Sequence, residues 1–145
     1  MRRLWLAVFA VVAGLLLSAC AVTTTISSAQ AGATIDVKSS TQTVVPRTEI
    51  YQSTSFGDYE FRAQAPGHEP FFGVLPLKLN GWYMVFDTLA FPLAAAFNLR
   101  QVYPFYEFDV EKKVVRYRKK ETDEWHTHTT FPAEMAQAQE FFNAK

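Results

Sequence analysis

Few side chains in this 145-residue chain are reactive and also spaced for chemistry. Cys20 is its single cysteine, so no intramolecular disulfide is open to the chain. Its thiolate would be the strongest nucleophile present. His126 and His128 flank Thr127, and on a strand residues two apart share a face, as a metal pair requires. A third ligand would have to come from His68, Glu107 or Asp109. Exposed strand histidines are the simpler reading, and neither a metal nor a cofactor is expected. Asp87 could serve as a carboxylate, but accepting backbone N–H bonds at a helix start or kink, with Thr88 helping, demands less of it. No nucleophile elbow, phosphate loop, zinc-protease helix or dinucleotide fingerprint occurs. The expectation is a protein that is not an enzyme.

Cys20 ends a run that begins Met1-Arg2-Arg3 and continues LWLAVFAVVAGLLLSA, the basic end, apolar stretch and small terminal residues of an export leader. The apolar part is shorter than the ~20 residues a permanent span needs. Leu17-Ser18-Ala19-Cys20 resembles the lipobox of bacterial lipoproteins at all four positions. That resemblance implies cleavage before Cys20, a diacylglycerol thioether on its sulfur and often fatty acylation, such as palmitate, of the new amine. Each buried methylene contributes ~0.8 kcal/mol, so two or three acyl chains anchor durably. Arg2-Arg3 lacks the further pattern of a twin-arginine signal. Ala21 after the cysteine, where aspartate would retain the protein, implies delivery to the outer membrane, facing the periplasm. The expected division is a signal peptide over 1–19, a lipidated N-terminus and flexible tether over 20–33, and a periplasmic globular domain over 34–145.

The tether expectation comes from AVTTTISSAQAGA, uncharged and built largely of small residues. Beyond it, ATIDVK alternates Ile35 and Val37 against polar neighbours in the period of a half-buried strand. Further strands are predicted at 48–52 and in YEFRAQA, where Tyr59, Phe61 and Ala63 share a face, with SFGD turning between them and Pro66-Gly67 closing the second. FFGVLPLKL carries Gly73 and Pro76, which suit an edge or a bend, and Asn80-Gly81 marks a turn. YEFDV (106–110) and VVRYR (114–118) flank Glu111-Lys112-Lys113 as a hairpin with a three-residue loop. From Pro132 the spacing of Phe131, Met135, Ala138 and Phe142 predicts an amphipathic helix capped by Thr130.

The stretch YEFRAQAPGHEPFFGVLPLKL resembles PEGA-like modules of envelope proteins, in which a strand ends in Pro-Gly-Tyr-Glu-Pro. His68 stands in place of the tyrosine, and the namesake Pro-Glu-Gly-Ala motif is missing. The resemblance implies a β-rich binding or structural module.

Residues 82–99, WYMVFDTLAFPLAAAFNL, are apolar nearly all round as a helix, with Trp82, Phe86, Leu89, Leu93 and Phe97 on one face. Asp87 near the centre and Pro92 one turn later oppose a membrane span. A kinked core helix, or a strand followed by a helix, is expected, with shallow insertion into the anchoring leaflet as the other reading. VFDTLAFPLAA resembles the small envelope lipoproteins typified by YceK, a family whose membership implies lipid anchoring without a settled chemistry.

The chain balances 14 Lys+Arg against 14 Asp+Glu, so no broad basic face points to nucleic acid. Lys112, Lys113, Arg116, Arg118, Lys119 and Lys120 form its one charge cluster, either a solvated hairpin edge or a site for phosphate headgroups or an acidic partner. The fold expected is α+β: a small antiparallel β-rich domain with an apolar kinked central helix and a C-terminal amphipathic helix. The function expected is that of a lipid-anchored binding or scaffolding module. Its partners would be the membrane, through the lipid, and an envelope protein or polymer, with aromatics of the Phe71 to Phe108 region, Trp82, Phe86, Phe91 and Phe97 among them, and Lys112, Lys113, Arg116 and Arg118 as contacts. The alternative is a periplasmic hydrolase using Asp87 or Glu107 with His126.

Overall fold

The apolar members of the alternating segments turn inward: Ile35, Val37, Phe61 and Ala63 are all fully buried. The computed structural model describes residues 21–38, 43–52, 58–79 and 100–144. In chain order these form β1 (Ala21–Ser28), β2 (Thr34–Val37), β3 (Thr43–Val44), β4 (Arg47–Gln52), β5 (Glu60–Gln64), β6 (Phe71–Val74), β7 (Lys78–Leu79), β8 (Arg100–Gln101), β9 (Phe105–Asp109), β10 (Val114–Arg118), β11 (His126–Thr129) and α1 (Pro132–Asn143). The leader, Cys20, most of the SFGD turn, Asn80-Gly81 and the whole of 82–99, including Trp82, Phe86, Asp87, Phe91 and Phe97, lie outside the described residues.

One sheet has five strands in the order β11-β10-β9-β1-β4, and another has four in the order β3-β2-β5-β6. Their inner faces meet in a common core, where Phe61 of the smaller sheet stands edge-on to Phe108 of the larger at 4.9 Å. Helix α1 covers the outer face of the smaller sheet: Phe142 lies under the Arg62 guanidinium and 6.4 Å from the Phe72 ring. Met135 is half-buried, Ala138 and Phe142 are buried, and Phe131 is 63% exposed.

Six sequence expectations are corrected. The α+β class gives way to a mostly β architecture in two packed sheets with one C-terminal helix. The apolar kinked central helix is not seen among the described residues, and the stretch to which it was assigned lies outside them. The tether is in large part a strand: β1 pairs antiparallel with β4 from Ala21↔Gln52 and parallel with β9 from Thr25↔Phe105. Alternating Thr, Val and Ile suit a strand as well as small polar residues suit a linker, and pairing on both sides decides between the two. That parallel ladder also makes the larger sheet mixed rather than antiparallel.

The other two corrections are local. The hairpin loop is residues 110–113, because Asp109 pairs with Val114 and Val110 turns inward to full burial. Asp109 shapes that loop by accepting the Lys112 backbone N–H at 3.1 Å, and Lys113 closes it with a φ of 54°. The N-cap of α1 is Phe131, not Thr130, since Pro132 suits the first helical position and the Glu134 carboxylate reaches back to the Phe131 N–H at 3.0 Å. Thr130 is buried instead.

Candidate functional site

The four basic residues proposed as a contact do not form one surface. Lys112 and Lys113 sit on the loop at one end of β10, where they ion-pair with Asp109 at 3.6 Å and Glu69 at 3.2 Å. Arg116 lies mid-strand on the outer face and pairs with Glu107, its direct neighbour across β9. Arg118 closes the other end of β10, its guanidinium over the Trp125 ring at 4.3 Å and the Phe105 ring at 5.3 Å. The expected aromatic contact also changes. Phe71, Tyr106 and Phe108 are core residues, with exposures of 1%, 0% and 0%.

The histidines share a face of β11, as their spacing requires, yet each already has a neighbour. His126 stacks on Tyr117 at 5.5 Å, and His128 meets the Glu134 carboxylate at 3.1 Å. Among the described residues no group of three His, Cys, Asp or Glu side chains could hold a metal ion. Glu107 and His126 stand on opposite faces of the larger sheet, because Glu107 is in register with Arg116 whereas His126 is in register with Tyr117.

What the fold does assemble is an aromatic and cationic rim beside the first half of β1, where Phe105 and Arg118 are level with Thr25 and Tyr117 with Ile26. The Thr24 hydroxyl donates to the Tyr103 carbonyl at 3.0 Å, which lays the segment before β9 against the first residues of β1. Arg118 is opposite Phe105, so β10 finishes beside this segment. The half-buried rings of Tyr103 and Tyr117 lie 4.4 Å apart, and Tyr51 meets Tyr59 edge-on at 5.3 Å. Burial, and then the neighbouring Tyr117, push the Tyr103 phenol above its ordinary pKa. Below the rim, Tyr106 donates to the Pro76 carbonyl at 2.7 Å and accepts the Tyr103 N–H at 2.9 Å.

Cations border these rings. Leu79 pairs with Arg100, which reaches Asp58 at 3.6 Å. Lys78 is half-buried, and its pKa is lowered first by that burial and then by the nearby positive charge of Lys119. Lys119 and Lys120 are exposed, and neither they nor Lys78 forms an ion pair among the described residues. Glu121, Asp123 and Glu124 share the same loop, where Asp123 accepts the Lys120 backbone N–H at 3.1 Å. Sequence reasoning saw the lysines but not the rim, because its members come from separate segments.

Compared with family models, curated proteins and solved structures, the chain gives no significant match to any of them. The lipobox, PEGA-like and YceK-like resemblances therefore rest on the residues quoted for them.

Proposed function

We propose that this chain is a lipid-anchored lipoprotein of the cell envelope, held through Cys20 at the outer membrane, whose domain acts as a binding or scaffolding module in the periplasm. The observation that carries the reading is the complete Leu17-Ser18-Ala19-Cys20 box behind a basic and apolar leader. The hydrolase alternative loses support from the opposite facing of Glu107 and His126. The outer face of the larger sheet offers a surface to a partner: Thr23, Thr48, Thr127 and Thr129 are exposed there, and Ile50 is 76% exposed.

Mass spectrometry of the mature N-terminus tests the anchor. A diacylglyceryl cysteine at its first position is expected, and an unmodified thiol or a retained leader would overturn it. A photo-crosslinker at position 48 in intact envelopes tests the binding role. It should yield a discrete adduct with an envelope protein or polymer that disappears in Ile50→Lys without loss of folding. Substrate turnover by the purified protein, lost on changing His126 or Asp87, would favour the enzyme instead.

A further inference from the structure

The larger sheet begins at Ala21, paired with Gln52, and Cys20 precedes it by a single peptide unit of ~3.8 Å. Granted lipid on Cys20, on which this inference rests, no spacer remains between the acyl chains and the fold. A tether of a dozen residues would leave the domain free to tumble, whereas one peptide unit holds the start of β1 at headgroup depth.

The side chains gathered at that end suit such a place. Half-buried tyrosine and tryptophan rings with one polar edge favour the boundary between hydrocarbon and water, and lysines extend to the phosphates beside them. Val22 and Leu77 are partly buried against the same core. The opposite end, with the 110–113 loop and the Lys113–Glu69 pair, is separated from the rim by the length of β10, ~13 Å along the strand. Glu121, Asp123 and Glu124 outnumber Lys119 and Lys120 in the 119–125 loop, so the loop carries no net positive charge. The placement therefore follows from the attachment point and the aromatic rim, with the lysines as headgroup contacts rather than a long-range electrostatic magnet.

We infer that the end of the domain at which β1 starts is a membrane-docking surface, where Tyr103, Tyr117 and Trp125 lie at the interface and Lys78, Lys119 and Lys120 contact phospholipid phosphates. The domain then leans on the leaflet, because Arg118 is level with Thr25 rather than with Ala21, and its five-stranded outer face stays available to a partner.

The test uses the full processed chain, extracted in detergent and reconstituted into phosphatidylcholine vesicles containing phosphatidylglycerol. Lys120→Cys and Glu111→Cys place single thiols at the two ends of β10, each labelled with an environment-sensitive dye. Quenching by headgroup-spin-labelled lipid should be several-fold stronger at position 120 than at 111. Equal or reversed quenching would overturn the orientation. In a label placed at Glu124→Cys, Lys119→Glu combined with Lys120→Glu should lower the quenching, and an unchanged value would overturn the phosphate contact. Dye uptake by Cys20 in the otherwise native chain would instead mean that the lipid anchor itself is absent, which separates failure of the anchor from failure of the docking surface. Circular dichroism of each variant confirms that the sheets are retained.

Discussion

Gly73 leaves no room for a side chain. A Cβ there would lie 2.3 Å from the Thr130 methyl and 2.9 Å from the Phe61 ring. Gly73→Ala should lower unfolding free energy by about 1–3 kcal/mol in urea titration, and adding Thr130→Ser, which removes the crowding methyl, should restore part of it. Asp109 is a different case. Burial opposes its charge, but the Lys112 backbone N–H, the Gln30 amide and the Lys112 ammonium together hold its carboxyl below the ordinary range. A depressed folded pKa contributes stability that is present above the unfolded value of about 3.9 and is lost as pH falls through the folded value. The wild type should therefore lose stability in acid more steeply than Asp109→Asn, which should already be weaker at neutral pH. Lys113 holds a left-handed φ of 54°, so Lys113→Gly should raise stability by about 1 kcal/mol, since its exposed ion pair contributes little.

At the scale of elements, β1 organises the larger sheet. It lies between β4 and β9, and its Ile26 is fully buried. Ile26→Ala should cost about 2–5 kcal/mol in a denaturant melt, whereas a residue in a flexible tether would tolerate the change. Its hydroxyls add to the parallel ladder: Ser27 donates to the Tyr106 carbonyl and Ser28 to the Phe108 carbonyl, both at 3.0 Å. Those side-chain bonds explain how a strand rich in serine and threonine holds a central place. The β9–β10 hairpin, by contrast, was legible in advance, because both its strands and its turn lie within one short stretch of alternating sequence.

Across the described residues, helix, smaller sheet and larger sheet stack in that order, with Ile50 76% exposed on the outer face of the larger sheet. If the attachment point sets the orientation of this stack, a flexible Gly/Ser spacer inserted between Cys20 and Ala21 should leave the thermal melt and membrane association unchanged. The difference in lipid quenching between the two ends of β10 should then vanish. The same quenching difference with the spacer present would mean that the rim docks without help from the anchor.

Local pattern alone was enough for the strands around Ile35 and Phe61, the β9–β10 hairpin and the C-terminal helix. Each is encoded by residues a few positions apart, and a period of two or of 3.6 survives whatever packs against it. The role of residues 21–28 was not legible, since their strand is completed by hydrogen bonds to carbonyls 79 and 80 residues further along the chain. The fate of the basic cluster was hidden for a related reason: adjacency in sequence put Lys112 and Arg118 in one run, but a strand carried them to opposite ends of β10. The rim of Tyr103, Tyr117, Trp125 and Lys78 exists only because a parallel pairing and two antiparallel ones bring several chain segments together beside the first half of β1. Contacts between distant segments depend on which strands find each other, and no local period records that choice.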